Sequence, residues 1–160
     1  MGREPVTAYV ALGGNLGDAR AVVLGAFSAL SALPQTQLLS RSRLYRTAPH
    51  EAQGPDFINA VACLKTGLSA PALLDALQAI ENAAGRQRPY RNAPRTLDLD
   101  LLLYGDARMD SPRLQLPHPR MTGRAFVLHP LAELAPTRVS AEDLRAVRDQ
   151  AITVLQEVSA

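Results

Sequence analysis

Four segments of the chain have the apolar or alternating patterns typical of strands, and in two others apolar residues repeat with helical spacing. The first four predict β-strands over residues 7–12, 37–46, 57–66 and 95–104. The first predicted helix begins at Asp18, a common N-cap residue, and Pro34 ends it. The second begins at Ser69 and closes at Gly85. The second and third strands have no helix between them, so we expect them to pair antiparallel.

Shorter elements follow the fourth strand. Gly105 marks a turn into a short hairpin, and Ser140 caps a last helix. Residues 124–134 are predicted to be helical, with Pro130 either kinking the helix or starting a new turn. The order of the predicted elements is therefore β-α-β-β-α-β with additional C-terminal helices. That order predicts a ferredoxin-like α+β sandwich with an antiparallel sheet. No repeat or linker divides the chain, so we expect residues 1–160 to form a single domain.

Composition narrows the class of protein. The chain has 160 residues, of which 47% are hydrophobic, enough for a packed core. A net charge of +2 does not require a nucleic-acid partner. No apolar run reaches the ~20 residues that span a bilayer, so the sequence predicts a cytoplasmic protein without a membrane partner. Cys63, the single cysteine, excludes an intrachain disulfide and lies in an apolar pattern typical of a small buried side chain.

Two carboxylates two positions apart mark the fourth predicted strand. Because strand side chains alternate, Asp98 and Asp100 share one face while the leucines beside them point to the other. A fold keeps such a pair of like charges more readily when a cation compensates it, and carboxylate oxygens suit Mg²⁺. The alternative is a solvent-facing strand edge, where charges deter aggregation.

An arginine cluster stands just before this pair and consists of Arg86, Arg88, Arg91 and Arg95. A basic loop is usually a solvated surface, and arginine is common throughout this chain. The adjacency of the cluster to two aspartates favours a different interpretation, because phosphates that bridge Mg²⁺ and arginine need both kinds of group. The segment therefore predicts a site for a magnesium-bound polyphosphate.

Two further positions have candidate chemistry. Asn59 lies in an otherwise apolar strand, where its amide either bonds nearby backbone or offers a donor and an acceptor to a flat heterocycle. Phe57 shares its face and could stack on such a ring. His118 lies between two prolines, which would fix the backbone around an imidazole able to donate to a phosphate; a structural hydrogen bond is the alternative.

Residues 91–102 resemble the signature of the 6-hydroxymethyl-7,8-dihydropterin pyrophosphokinase family of folate biosynthesis. Other segments resemble the same family in the same order along the chain, at residues 8–17, 45–47, 56–59, 78–81, 85–86, 116–119 and 124–126. Several ordered segments are far more specific than an aspartate pair. The resemblance implies a single catalytic domain with the ferredoxin-like fold. By this resemblance the protein would transfer pyrophosphate from ATP to the pterin hydroxymethyl group and leave AMP.

The resemblance also implies how the phosphates are held. Asp98 and Asp100 would bind two Mg²⁺ ions that bridge the triphosphate of the co-substrate ATP. Arg86 and Arg95 would stabilise charge on the transferring phosphates. The ATP site would be lined by the residues Gln78, Glu81, Arg88, Leu99, Arg113, His118 and Arg124.

A second pocket would hold the pterin. By the same resemblance, Phe57 and Phe126 would sandwich the ring while Asn59 hydrogen-bonds its edge. Backbone around Thr47 and Pro49 would complete this pocket. The chain is expected to act as a monomer on ATP and the pterin, without a nucleic-acid partner.

The chain departs from familiar family members at a few positions. Asn92 and Ala93 stand where many members have Trp-Gly, so a ring that caps the pterin is missing, and either Tyr90 or no residue replaces it. Pro119 and Gln115 stand where an aromatic residue and a threonine are common. These differences concern closure of the loops rather than the reaction.

The alternative hypothesis is a ferredoxin-like RNA-binding module without catalysis. Such sheets stack bases on exposed aromatic side chains. Aromatic residues make up only 4% of this chain, and two strand carboxylates would repel phosphate unless they bind metal. The enzyme hypothesis is therefore favoured.

Overall fold

The computed structural model describes residues 4–15, 18–48, 56–85 and 97–155. The strands are β1 (Val6–Gly14), β2 (Thr36–Arg41), β3 (Tyr45–Thr47), β4 (Phe57–Thr66), β5 (Asp98–Tyr104), β6 (Met109–Asp110), β7 (Gln115–Leu116) and β8 (Thr153–Val154). The helices are α1 (Ala19–Ser31), α2 (Ala70–Gly85), α3 (Ala125–Leu134) and α4 (Ala141–Ala146), with 3₁₀ turns at Met121–Gly123 and Pro136–Arg138. No helix in these ranges is long and apolar enough to cross a membrane.

The sheet confirms the predicted fold class. Its strand order is β5-β1-β4-β3-β8, β2 also pairs with β4, and these pairs are antiparallel. Strands β6 and β7 form a separate hairpin. With β2 and β3 counted together as the second predicted strand, the core of this order is that of a ferredoxin-like sandwich. Among the strands described, β5 is an edge strand, and its position matters for the site.

Helix starts follow the predicted caps. The side-chain oxygens of Asp18, Ser69 and Ser140 accept hydrogen bonds from amides three residues on, at 3.1, 3.2 and 3.0 Å. These bonds satisfy amide groups that have no partner within the first turn of a helix. Pro130 lies inside α3, which continues on both sides of it, so the proline does not start a new element.

The predicted second strand, residues 37–46, was wrong as a single element. The structure divides it into β2 and β3 at Ser42, which is buried. The amide of Ser42 donates to the carbonyl of Val61 at 2.9 Å, and its hydroxyl accepts from the amide of Val61 at 2.9 Å. Because this side chain takes the place of a backbone acceptor, the regular ladder is interrupted without a buried amide losing its partner.

Two cores cover the two faces of the sheet. The face toward α1 and α2 is packed by large apolar side chains that include Leu12, Leu30, Leu64, Leu73 and Leu77. The opposite face packs against α3 through Val61, Leu102, Leu128 and Leu131. On that second face the strand positions toward Gly14, which include Ala11, Gly13 and Asn59, border a cavity. This end of the sheet contains the candidate site.

Candidate active site

The two aspartates occupy neighbouring same-face positions on β5. Asp98 pairs with Gly13 and Asp100 with Ala11 on β1, so both carboxylates stand beside small residues. Asp98 is exposed, and the Asp100 side chain retains 43% of its accessible surface. His118 Nε2 and Arg124 Nη1 each lie 4.0 Å from an oxygen of Asp100. These contacts are longer than hydrogen bonds, so the carboxylate is surrounded by cationic or donor groups but not held by them.

A β-bulge in β5 positions His118 near this carboxylate. The register changes between the pairs Val10–Leu101 and Tyr9–Leu103, which leaves Leu102 as an extra residue on β5. The carbonyl of Leu102 accepts a hydrogen bond from the amide of His118 at 2.9 Å. The irregular strand therefore anchors the Pro-His-Pro segment against the edge of the sheet, a use that bulges near functional sites often have.

The protonation of His118 follows from its surroundings. Burial lowers the pKa of His118, the carboxylate of Asp100 opposes that shift, and Arg124 and Arg120 add to the lowering. The imidazole is therefore neutral at neutral pH. Its Nδ1 accepts from the amide of Arg120 at 3.1 Å, so the ring proton is on Nε2. This N–H is the one nearer Asp100, and it is available as a donor to an anion.

One cavity lies beside β5 and the β6–β7 hairpin, and we call it the hairpin cavity. Its volume is about 430 Å³. Polar and charged side chains on its wall include Arg113, Gln115, His118, Arg120 and Arg124, next to Asp98, Leu99 and Asp100 of the strand. Cationic groups thus face a carboxylate pair across a space of nucleotide-fragment size.

Several residues predicted for the ATP site have other contacts. Leu99 and Arg113 line the hairpin cavity, whereas Gln78 and Glu81 are not among its described lining residues. Gln78 accepts from Arg113 Nη2 at 3.2 Å. Glu81 Oε2 accepts from the amide of Leu99 at 2.8 Å. Glu81 therefore fixes the backbone of the strand between the two aspartates.

A second, larger cavity lies over β1 and β4, and we call it the sheet cavity. Its volume is about 830 Å³. Phe57, Asn59 and Thr47 line it from the strands, and Phe126 lines it from α3. Asn59 is buried, and its Nδ2 donates to the Thr47 hydroxyl at 3.0 Å. The amide is thereby held in one orientation at the wall of an aromatic-lined space.

Gly13 makes room for this amide. A Cβ atom at Gly13 would lie 2.9 Å from Asn59 Oδ1, closer than carbon and oxygen can approach without displacement. Gly13 pairs with Asn59 on one side and with Asp98 on the other. Gly13 lies next to the end of β1, so the last positions of this strand border the cavity.

The two cavities meet at the aspartates. Asp98, Asp100, Arg120 and Arg124 line both of them. The guanidinium of Arg124 also lies 5.4 Å from the centre of the Phe126 ring, within cation–π range. A group bound in either cavity can therefore reach the same pair of carboxylates.

The structure leaves some predicted residues untested and adds others. Pro49, Arg86, Arg88 and Arg95 lie outside the described residues, as does Tyr90.

Sequence reasoning missed Arg120 and Gln150, which line the site. Arg120 directly follows the Pro-His-Pro run, and that adjacency could have indicated it. Gln150 is distant in sequence and had no local signal.

Comparison with known proteins identifies relatives of this chain. Residues 9–136 match the sequence model of the family described as 7,8-dihydro-6-hydroxymethylpterin-pyrophosphokinase. Two relatives carry the name 2-amino-4-hydroxy-6-hydroxymethyldihydropteridine pyrophosphokinase. The Pseudomonas aeruginosa protein is 53% identical over 129 residues, which is 80% of each chain. The Haemophilus influenzae protein is 44% identical over 151 residues, which is 94% of this chain and 91% of the relative.

Solved structures show the same fold at low sequence identity. The Plasmodium falciparum HPPK-DHPS structure with pteroate superposes with a TM-score of 0.64 at 14% identity. The superposition covers 82% of this chain and 39% of that longer one. At this identity the likeness concerns the fold alone.

Proposed function

The chain belongs to the 7,8-dihydro-6-hydroxymethylpterin-pyrophosphokinase family, and we propose that it transfers a pyrophosphoryl group from ATP to 6-hydroxymethyl-7,8-dihydropterin. The acceptor is the hydroxymethyl oxygen, and the products are the pterin diphosphate and AMP. The protein is a diphosphotransferase of folate biosynthesis. The relatives share one enzyme name, and they give no support to the RNA-binding alternative.

The observation that carries this proposal is the junction of the two cavities at Asp98 and Asp100. Transfer between two substrates needs the attacking oxygen of the acceptor within contact distance of the phosphorus it attacks, in line with the bond to the leaving AMP. The hairpin cavity would take ATP, and the sheet cavity would take the pterin. The shared carboxylates then lie where the triphosphate and the hydroxymethyl group meet.

The sheet cavity suits a flat heterocycle with a polar edge. Thr47 takes one hydrogen of the Asn59 amide, which has a second hydrogen and an acceptor oxygen for a ring edge. Phe57 and Phe126 offer aromatic faces to the ring itself. Pterin, which has both donors and acceptors along one edge, fits this set of groups.

Mg²⁺ suits the aspartate pair. Proteins bind this ion through one or two carboxylates together with substrate phosphates and water, so two aspartates are enough. Within the described ranges no group of three or more His, Cys, Asp or Glu is placed to hold a metal. Asp98 and Asp100 would therefore hold Mg²⁺ jointly with ATP, two ions by the family resemblance. The ion would neutralise phosphate charge and lower the pKa of the acceptor hydroxyl.

The protein groups around the pair would position and neutralise the phosphates. His118, whose ring proton is on Nε2, lines the hairpin cavity together with Arg113, Arg120 and Arg124. Arginine forks match phosphate oxygens geometrically, and their charge is most useful where negative charge develops. Arg86, Arg88 and Arg95, outside the described residues, stay predicted additions to this set.

Product analysis tests the proposal. The protein is incubated with ATP, Mg²⁺ and the dihydropterin, and nucleotides are separated by ion-exchange chromatography. We expect AMP and pterin diphosphate in equal amounts. ADP as the only nucleotide product would contradict pyrophosphoryl transfer. Salt-sensitive binding of single-stranded RNA without turnover would instead favour the binding-module alternative.

Further expectations concern the state of the protein. We propose a cytoplasmic monomer that acts on its two substrates without nucleic acid or membrane. Light scattering coupled to size-exclusion chromatography checks the monomer. A mass of about twice 17.2 kDa would contradict it.

A further inference from the structure

The chain beyond the family match returns to the sheet cavity. The match ends at residue 136, and the chain continues through α4 to β8. Gln150 and Ala151, in the segment that leads into β8, line the sheet cavity. A wall of the proposed pterin pocket therefore comes from a part of the chain that the family match does not include.

Gln150 connects this segment to one side of the cavity. Its Oε1 accepts from the amide of Ala125 at 2.9 Å, and its Nε2 donates to the carbonyl of Gly123 at 3.0 Å. Ala125 is the first residue of α3, and the N-cap residue Arg124 makes no side-chain capping bond. Gln150 thus caps the helix from a distance. Arg124 and Phe126 line the cavity on either side of Ala125, so the two hydrogen bonds of Gln150 hold both residues in place.

The same segment connects to the opposite side of the cavity. Thr153 and Val154 of β8 pair with Arg46 and Tyr45 of β3. The amide of Leu155 extends this contact by donating to the carbonyl of residue 44 at 2.8 Å. Strand β3 is only three residues long, and it ends at Thr47, the partner of the Asn59 amide. The β8 pairing covers the edge of β3 that β4 does not use.

We propose that residues 150–155 form a clasp that sets the separation of the two walls of the sheet cavity, with Gln150 as its positioning residue. This inference rests on the proposed function, because it assigns the clasp to pterin affinity. One wall has Arg124 and Phe126, the other has Thr47, and six consecutive residues tie them together. The clasp reaches Phe126 and Thr47, which line the sheet cavity alone, and Arg124, which lines both cavities, so pterin affinity should change more than ATP affinity.

Three variants of the full chain test the clasp. Gln150→Met keeps the side-chain length but removes both hydrogen bonds, and Gln150→Glu keeps the acceptor for the Ala125 amide. Asp149→Asn is the matched control at the neighbouring exposed position. Pterin Kd is measured by fluorescence titration in the presence of a non-hydrolysable ATP analogue and Mg²⁺. The Kd of the analogue is measured by calorimetry, and folding is checked by thermal melting.

We expect Gln150→Met to weaken pterin binding about tenfold, since it removes two hydrogen bonds, and to weaken analogue binding only about twofold, through Arg124. Gln150→Glu should recover part of the loss, and Asp149→Asn should match the parent. Equal weakening of both ligands, or a lower melting temperature with unchanged pterin Kd, would show that Gln150 only stabilises the fold. A parent protein that binds no pterin would instead contradict the proposed function, so the two failures are distinguishable.

Discussion

The two cavities share strand β5 but are lined by different kinds of residue. The hairpin cavity is lined by charged side chains on short irregular segments, including Arg113, His118 and Arg120. Half of the residues that line the sheet cavity lie on regular strands, which supply an amide, an aromatic ring and a glycine. A strand fixes a flat pocket well, because its side chains stand at set intervals. Phosphates need several cationic groups converging from different directions, which short segments at a sheet edge can supply.

Strand β5 belongs to both cavities because it is an edge strand in the described sheet. Leu99 and Asp100 point to opposite faces, yet both line the hairpin cavity, so this cavity reaches the strand from its outer edge. The sheet cavity reaches the same carboxylates over β1. The comparison therefore predicts that changes at residues lining both cavities, the aspartates above all, affect both substrates, while changes at residues lining one cavity affect one.

The largest effect is expected at the shared carboxylates. Asp100→Asn keeps the shape of the side chain but removes its charge, and we expect turnover to fall by about 10²- to 10³-fold, the range for loss of one preorganised electrostatic group. Folding should not change, because Asp100 is half exposed and its ion contacts are long. AMP formation and thermal melting measure the two properties. Asp106→Asn, a fully exposed control, should keep parental activity. Full turnover in Asp100→Asn would contradict the proposal that the junction of the two cavities takes part in the reaction.

An effect of about tenfold, confined to the pterin, is expected for Gly13→Ala. The added methyl would meet Asn59 Oδ1 at 2.9 Å and displace the amide. A tenfold loss corresponds to about 1.4 kcal/mol, within the usual cost of overpacking. Gly25→Ala is the matched control, because nothing lies within 4 Å of its added atom. Removing a glycine from the interior of α1 should raise the free energy of unfolding by about 0.5–1 kcal/mol. A rise in the KM of ATP equal to that of the pterin would break the proposed division between the cavities.

A smaller effect, confined to ATP, is expected for Arg113→Ala. Half of this side chain is exposed, and it already bonds Asp75 and Gln78. Solvent screening limits such a group, so we expect the KM of ATP to rise about threefold to tenfold with pterin affinity unchanged. Arg108→Ala, exposed just before the hairpin, is the control for loss of one positive charge. The same rise in that control would indicate a general effect of net charge.

The smallest effect on substrate binding is expected for Glu81→Ala. The family resemblance implies an ATP-site role, whereas the carboxylate bonds the amide of Leu99 in β5. Leaving that amide without its partner should lower the free energy of unfolding by about 1–2 kcal/mol, with ATP affinity nearly unchanged. Glu81→Gln retains an acceptor oxygen and should recover the stability. Chemical denaturation and calorimetry separate the two quantities, and a large loss of ATP affinity at unchanged stability would favour the direct role.

Local sequence patterns predicted the shared strand face of the two aspartates and the caps of the helices. The alternation around Asp98 and Asp100 placed both on one strand face, and Ser69 and Ser140 capped the helices they were expected to cap. The break at Ser42 was missed because a hydroxyl that pairs with a backbone 19 residues away leaves no local pattern.

Parts of the site could not be predicted from sequence neighbours. The contact of Gly13 with Asn59 depends on the pairing of β1 with β4, which no local sequence pattern specifies. Gln150 bonds groups 25 and 27 residues away, and β8 is too short to show a strand period. Such contacts exist only once the sheet has assembled.

The most direct test of the account is a crystal structure of the protein with Mn²⁺, a non-hydrolysable ATP analogue and the dihydropterin, with the metal located by anomalous scattering. We predict metal density within coordination distance of both Asp98 and Asp100, with the triphosphate in the hairpin cavity and the pterin in the sheet cavity. The hydroxymethyl oxygen should face the phosphate chain at the junction. Metal bound away from both aspartates, or both ligands in one cavity, would contradict the account.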